Sequence, residues 1–248
     1  MFKKLFKYHN TLAPKIWDTD NHVNQLVSQS LQMMAFEYIR YLGTVLGLPI
    51  SSDDIHDIFI HGSLANYYWD KHSDVDICLV ADLTKLREKL PDLNIFLFFN
   101  TTQRAWQATF KPTIFGRNVD IFIFDKPNFL REIKTAHDTY YSLLSEKWLI
   151  EPQRVPDDQL KLLYRMTYQR YRVIIRQCKY ILKHNMEHEF VDAYLSTLKA
   201  QRRRSALDPY GYAITSTQLA FKAVRNTGIF NKMRRNSKKQ LSKRYTLK

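Results

Sequence analysis

The chain has 248 residues, 45% of them hydrophobic and 25% charged, which is enough apolar material for a sizeable core and excludes an intrinsically disordered protein. No run of about 18 apolar residues occurs, and two cysteines, Cys78 and Cys178, offer neither metal-ligand spacing nor a disulfide framework; no membrane partner and a reducing, cytoplasmic compartment are therefore expected. The net charge of +14 is unevenly divided, with 16 Lys+Arg against 17 Asp+Glu in residues 1–150 and 22 against 7 in residues 151–248, so the C-terminal part is the one suited to an anionic partner.

In chain order, the basic segment Met1–Tyr8 leads into polar residues around Asp18–Asn24 rather than into an apolar core, so nothing marks it for export. A long helix is predicted over about Asp20 to Leu46. Ile58–Ile60 has the composition of a buried strand, and Gly62-Ser63 ends it in a tight turn. Gly62 lacks a Cβ, so a bulky anion can approach its backbone. Ser63 is expected to cap a short helix running to about Tyr68, whose first N–H groups attract phosphate oxygens.

After a spacer of ten residues, Asp74-Val75-Asp76-Ile77-Cys78-Leu79-Val80 opens a second strand. Side chains alternate along a strand, so Asp74 and Asp76 share one face, roughly 6–7 Å apart, while Val75 and Ile77 face the core. Two like charges held this close call for a cation between them, and hard divalent ions with oxygen ligands, Mg2+ above all, suit the position. A helix is predicted around Leu83–Lys89, followed by apolar runs at Asn94–Phe99 and Val119–Phe124. Asp120 begins the latter. If its strand lies about 4.8 Å from the Asp74 strand, Asp120 joins the pair, and two ions can serve an in-line displacement at phosphorus.

Gly62-Ser63, the ten-residue spacer, Asp74-Val75-Asp76 and the later Val119-Asp120-Ile121 together resemble the signature of the DNA polymerase β-like nucleotidyltransferase superfamily over about residues 55–125. The resemblance implies an α+β fold with a small mixed sheet flanked by helices, where spacing alone leaves strand order open. It also implies two Mg2+ ions, with Mn2+ as a substitute, bound by Asp74, Asp76 and Asp120. Asp120 would bind the catalytic metal and help to activate the acceptor hydroxyl, and Gly62 and Ser63 would contact the β and γ phosphates of a nucleoside triphosphate.

Two prolines and three acids between Glu151 and Asp158 break the pattern and place a boundary there, giving a catalytic domain over 1–152, a basic helical domain over 153–232 and a mobile basic tail over 233–248. Asp157 or Asp158 is expected to cap the helix over about Asp158–His184. On that helix Lys161, Arg165, Arg172, Arg176, Lys179 and Lys183 fall within an arc of about 60°. Leu163, Thr167, Tyr171, Ile174, Cys178 and Ile181 share the opposite face. Lys161 and Arg165 are candidates for the triphosphate. Arg172, Arg176, Lys179 and Lys183, with Arg202, Arg203 and Arg204, are candidates for nucleic acid.

Tyr164, Tyr168, Tyr171, Tyr180, Tyr210 and Tyr212 interleave with the cations and are candidates for base stacking. His61, His72, Asp70 and Asp125 flank the motifs and receive no role.

The expected function is metal-dependent transfer of a nucleoside monophosphate from a triphosphate to a hydroxyl, with an RNA 3′ end, a tRNA among them, as the acceptor and no template. The alternatives are transfer to a protein or small molecule, cyclic oligonucleotide synthesis, and a catalytically inactive nucleic-acid-binding protein. Cationic small-molecule acceptors fit a half-chain of charge +15 poorly.

Overall fold

The computed structural model describes residues 7–135, 138–205 and 215–245, which form an α+β protein of two compact units, one spanning Tyr8–Gln153 and the other beginning at Arg154. Among the described residues no helix is long and apolar enough to cross a membrane.

The first unit is built around a sheet. Its elements are α1 (Gln25–Arg40), β1 (Ile55–His61), β2 (Val75–Ala81), α2 (Thr84–Lys89), α3 (Ile95–Phe110), β3 (Thr113–Ile114), β4 (Arg117–Asp125), α4 (Lys126–Thr135), β5 (Tyr140–Ser142) and β6 (Lys147–Ile150). The sheet order is β3-β4-β2-β1-β5-β6; β2 and β4 run parallel, and the other neighbours are antiparallel.

Alternation on the central strands assigns the two faces. Val75, Ile77, Leu79 and Ala81 of β2 join Ile58, Ile60, Val119 and Ile121 in the main core, against Leu31, Ala35, Tyr38 and Leu42. Each side chain buried in this way contributes about 1.5–3 kcal/mol. On the other face Cys78 and Val80 pack with Phe59, Phe129 and Tyr140 in a smaller cluster. That cluster covers the C-terminal half of β2 on the face that carries Asp76.

Several boundaries differ from the sequence reading, for local reasons. The first helix starts at Gln25, not Asp20, because Asp18 Oδ1 accepts from the backbone N–H of Asp20 and His22 and holds a turn there, while Asn24 caps the helix through Leu26 N. It continues past Arg40 as a π-helical turn to Val45. Asn94–Phe99 is the first turn of α3, with Asn94 Oδ1 accepting from Leu97 N. Ser63 caps no helix. It sits within a single 3-10 turn, Gly62–Ala65, with no side-chain cap at its start.

The second unit is helical: α5 (Asp157–Lys183), α6 (His188–Arg204), α7 (Ser216–Asn226) and α8 (Ile229–Tyr245). Its core joins Cys178 and Ile181 of α5, Val191, Leu195 and Leu198 of α6, Phe221 and Val224 of α7, and Phe230 and Met233 of α8. Pro156 occupies the cap position of α5, so Asp157 and Asp158 lie inside the first turn without capping it. There they act as negative charges at the positive end of the helix dipole.

Residues 233–245, expected to be mobile, are helical. Phe230, Met233 and Ser237 recur at helical spacing, all three are buried, and Ser237 Oγ lies 3.0 Å from His188 Nδ1 on α6. A narrow apolar stripe is enough to dock a helix that is otherwise cationic. Met233→Ala is therefore expected to destabilise the protein by about 2–3 kcal/mol in urea denaturation, as a buried methionine should. An unchanged midpoint would return this segment to a mobile tail.

Candidate functional site

The parallel pairing of β2 with β4 runs Val75–Val119, Asp76–Asp120, Ile77–Ile121, which sets Asp120 directly beside Asp76 at the N-terminal end of both strands. Asp74 stands one residue ahead of β2, on the Asp76 face by alternation. All three acids are half-buried. On the other side of Asp76 the antiparallel register places His61, the last residue of β1.

Gly62 follows His61 with φ at 73°, in the left-handed region. A Cβ there would run into Asp76 Oδ2. Glycine is required on both counts. Leu64 O accepts from Trp17 Nε1 at 2.8 Å and Ala65 O from Thr139 Oγ1 at 2.9 Å, so the Gly62–Ala65 turn is tied down beside the acids. Ser63, in the same turn, is half-buried.

The electrostatics follow from crowding like charges. Burial pushes the Asp76 carboxyl up to about 6; His61 opposes the rise, and Asp120, Asp138 and Asp74 add to it. Asp120 is raised too, first by burial and then by Asp74, against a hydrogen bond from Gln107. These groups form one coupled set.

Four contributing residues carry no signal in the sequence patterns. Gln107 on α3 donates through Nε2 to Asp120 Oδ1, and at 3.2 Å to Val119 O. Asp138 Oδ2 lies 3.3 Å from His61 Nδ1, while Tyr140 stacks on the same imidazole with centroids 5.4 Å apart. Arg117, at the start of β4, donates to Asp70 O at 2.8 Å and Ser73 O at 2.7 Å, pinning the loop that delivers Asp74. These partners are 12 to 79 residues apart in sequence, so no local signal announces them. Gln107 is the exception in part, as a polar residue among the apolar positions of α3.

Asp70 and Asp125, to which no role was given, have structural ones. Asp70 Oδ1 accepts from His72 N at 2.7 Å, and Asp125 pairs with Arg87 at 2.8 Å.

The donor set, three carboxylates on one sheet face, is of the oxygen chemistry that a hard divalent ion takes. Among the described residues, however, no three His, Cys, Asp or Glu side chains are already gathered into a closed metal cluster. Asp120 is turned onto Gln107 instead.

The remaining candidates lie in the second unit. Lys161, Arg165, Arg172, Arg176, Lys179 and Lys183 are all exposed along α5, whereas Thr167, Cys178 and Ile181 on its opposite side are buried. Arg172 lies over the ring of Tyr168, which is itself exposed, as is Tyr180. Arg204 is exposed, whereas Arg202 packs over Phe221, 5.4 Å from the ring centroid, so its charge is partly engaged in the core. The side chain of Arg203, together with Tyr210 and Tyr212, lies outside the described residues.

No protein-family model, curated protein or solved structure matches the chain.

The raised Asp76 has a consequence for stability. Its folded-state value, about 6, lies above the ordinary carboxylate value, so the folded protein binds this proton more tightly than the unfolded chain. The ionised group therefore costs nothing below about pH 4 and its full penalty above about pH 6. Asp76→Asn should stabilise the metal-free protein by about 1–2 kcal/mol at pH 7.5, a figure discounted for its partial exposure, and by little at pH 4.5. Urea denaturation at the two pH values checks this, and a variant less stable than wild type at pH 7.5 would contradict it.

Proposed function

We propose that the protein is a magnesium-dependent nucleotidyltransferase that moves a nucleoside monophosphate from a nucleoside triphosphate to a hydroxyl, releasing pyrophosphate. The acceptor in this reading is an RNA 3′ end. One observation carries it: the Asp76–Asp120 register between parallel strands, with the Gly62 turn pressed against Asp76. Two acids and a glycine turn from separate stretches of the sequence lie side by side, and this proximity supports the reading that the resemblance to polymerase β-like enzymes suggests.

Asp74, Asp76 and Asp120 would hold Mg2+, which when bound polarises the phosphate and lowers the pKa of the attacking hydroxyl. The chain's own residues do the rest. The Gly62–Ala65 turn presents backbone N–H groups where the phosphates lie, with no side chain at position 62 to exclude them. Asp120 Oδ2, the oxygen not held by Gln107, takes the proton of the acceptor hydroxyl. His61, backed by Asp138, supplies positive charge next to Asp76 when protonated. The exposed cations of α5 engage acceptor phosphates without sequence preference.

A second reading, a nucleic-acid-binding protein with an inactive site, is favoured by the exposed cations of α5, which suffice by themselves for an anionic partner. Incubation with each α-labelled triphosphate, Mg2+ and total RNA separates the two. Wild type is expected to label RNA, with Asp74→Ala/Asp76→Ala losing about a hundredfold or more. Gly62→Ala should lose as much while remaining folded by circular dichroism. Tight RNA binding with no label that these variants abolish would support the binding protein.

A further inference from the structure

A cleft of about 600 Å³ opens on the first unit beyond Asp120, a size that suits a small ligand or one unit of a polymer. Phe122, Ile123 and Phe124 of β4 line it, the two phenylalanines on the Asp120 face of the strand, together with Phe96, Asn100 and Gln103 of α3. At its far end stand Arg131 of α4 and the Arg87–Asp125 pair.

Its position ties it to the carboxylates. Phe122 is one strand repeat from Asp120, about 6–7 Å. Gln103 is one helical turn, about 6 Å, from Gln107, which holds Asp120. The outer edge of β4 is open as well. β3 pairs with it only at Arg117 and Asn118, so among the described residues β4 has no strand partner on that edge from Asp120 to Asp125, leaving backbone donors and acceptors facing the cleft.

The chemistry is that of a nucleotide. Phe96 is 80% exposed, and Phe122 and Phe124 in the same lining are partly open, so the cleft offers aromatic surface to a ligand. Aromatic faces stack on any base, the Asn100 amide matches base edges, and Arg131, which donates to Asn128 Oδ1 at 2.5 Å, brings a guanidinium that suits phosphate.

Sheet order decides which nucleotide. The phosphate turn follows β1, on one side of β2, whereas the cleft lies along β4, on the other. In an in-line displacement the attacking hydroxyl and the leaving pyrophosphate occupy opposite sides of the reacting phosphorus. We propose that this cleft binds the 3′-terminal nucleotide of a single-stranded RNA acceptor and presents its terminal hydroxyl to Asp120. The proposal rests on the nucleotidyltransferase reading for the identity of the acceptor, and on the cleft itself for the ligand class.

A short single-stranded oligoribonucleotide carrying 4-thiouridine at its 3′ terminus, or at an internal position, tests this by photocrosslinking to the full-length protein. The 3′ probe should crosslink within residues 95–103 or 122–131 and the internal probe outside them. Phe96→Ala/Arg131→Ala, two exposed positions whose replacement leaves the core intact, should reduce the 3′ crosslink about tenfold. In the transfer assay the same variant should raise KM for RNA and leave KM for the triphosphate unchanged. A 3′ crosslink elsewhere, or one unaffected by the double substitution, overturns the proposal even if nucleotide is transferred. A crosslink in the cleft from a protein that transfers nothing sinks the nucleotidyltransferase reading and leaves the cleft as a binding site for RNA ends.

Discussion

Pairing of β2 with β4 in a single register is the constraint on which the site depends. With Asp76 opposite Asp120, every odd-numbered neighbour from Val75 to Ala81 enters the main core together with Val119 and Ile121. A slip of one residue would bury the acids and expose the valines and isoleucines, so the hydrophobic pattern that stabilises the sheet also fixes the carboxylates on one face. The same constraint sets Asp76 between Asp120 on one strand and His61 on the other.

That arrangement carries an electrostatic cost. Asp76 is pushed up to about 6 and Asp120 is raised, while several well-buried strands on the opposite face supply the stability that tolerates them. The protein offsets part of the strain locally, with the Gln107 amide on Asp120 and the His61 imidazole near Asp76. Neither removes it. A divalent cation held by all three acids would neutralise them together, and this is the role the proposed function gives it.

Legibility in the sequence followed the range of the interactions. Alternation at 74–80 and 118–124 exposed the two strands and which of their residues faced the core, and the 100° periodicity of α5 separated its cationic side from its packed one. The spacing of Gly62-Ser63, Asp74, Asp76 and Asp120 carried the candidate site. Contacts between distant segments were hidden: Asp138 on His61, Gln107 on Asp120 and Arg117 on the Asp70–Ser73 loop have no periodic signature. Two errors came from weighting composition over local chemistry. The turn held by Asp18 delayed the first helix, and the charge of residues 233–245 masked the short stripe, Phe230, Met233 and Ser237, that docks them as a helix.

The central claim is that Asp74, Asp76 and Asp120 act as one cation site, and Mn2+ binding followed by electron paramagnetic resonance measures it directly. Wild type should bind Mn2+, competitively with Mg2+, and Asp76→Asn and Asp120→Asn should each weaken binding by about tenfold or more. Binding that survives both substitutions unchanged would show that the acids on β2 and β4 do not share an ion, and the account would fail at its base.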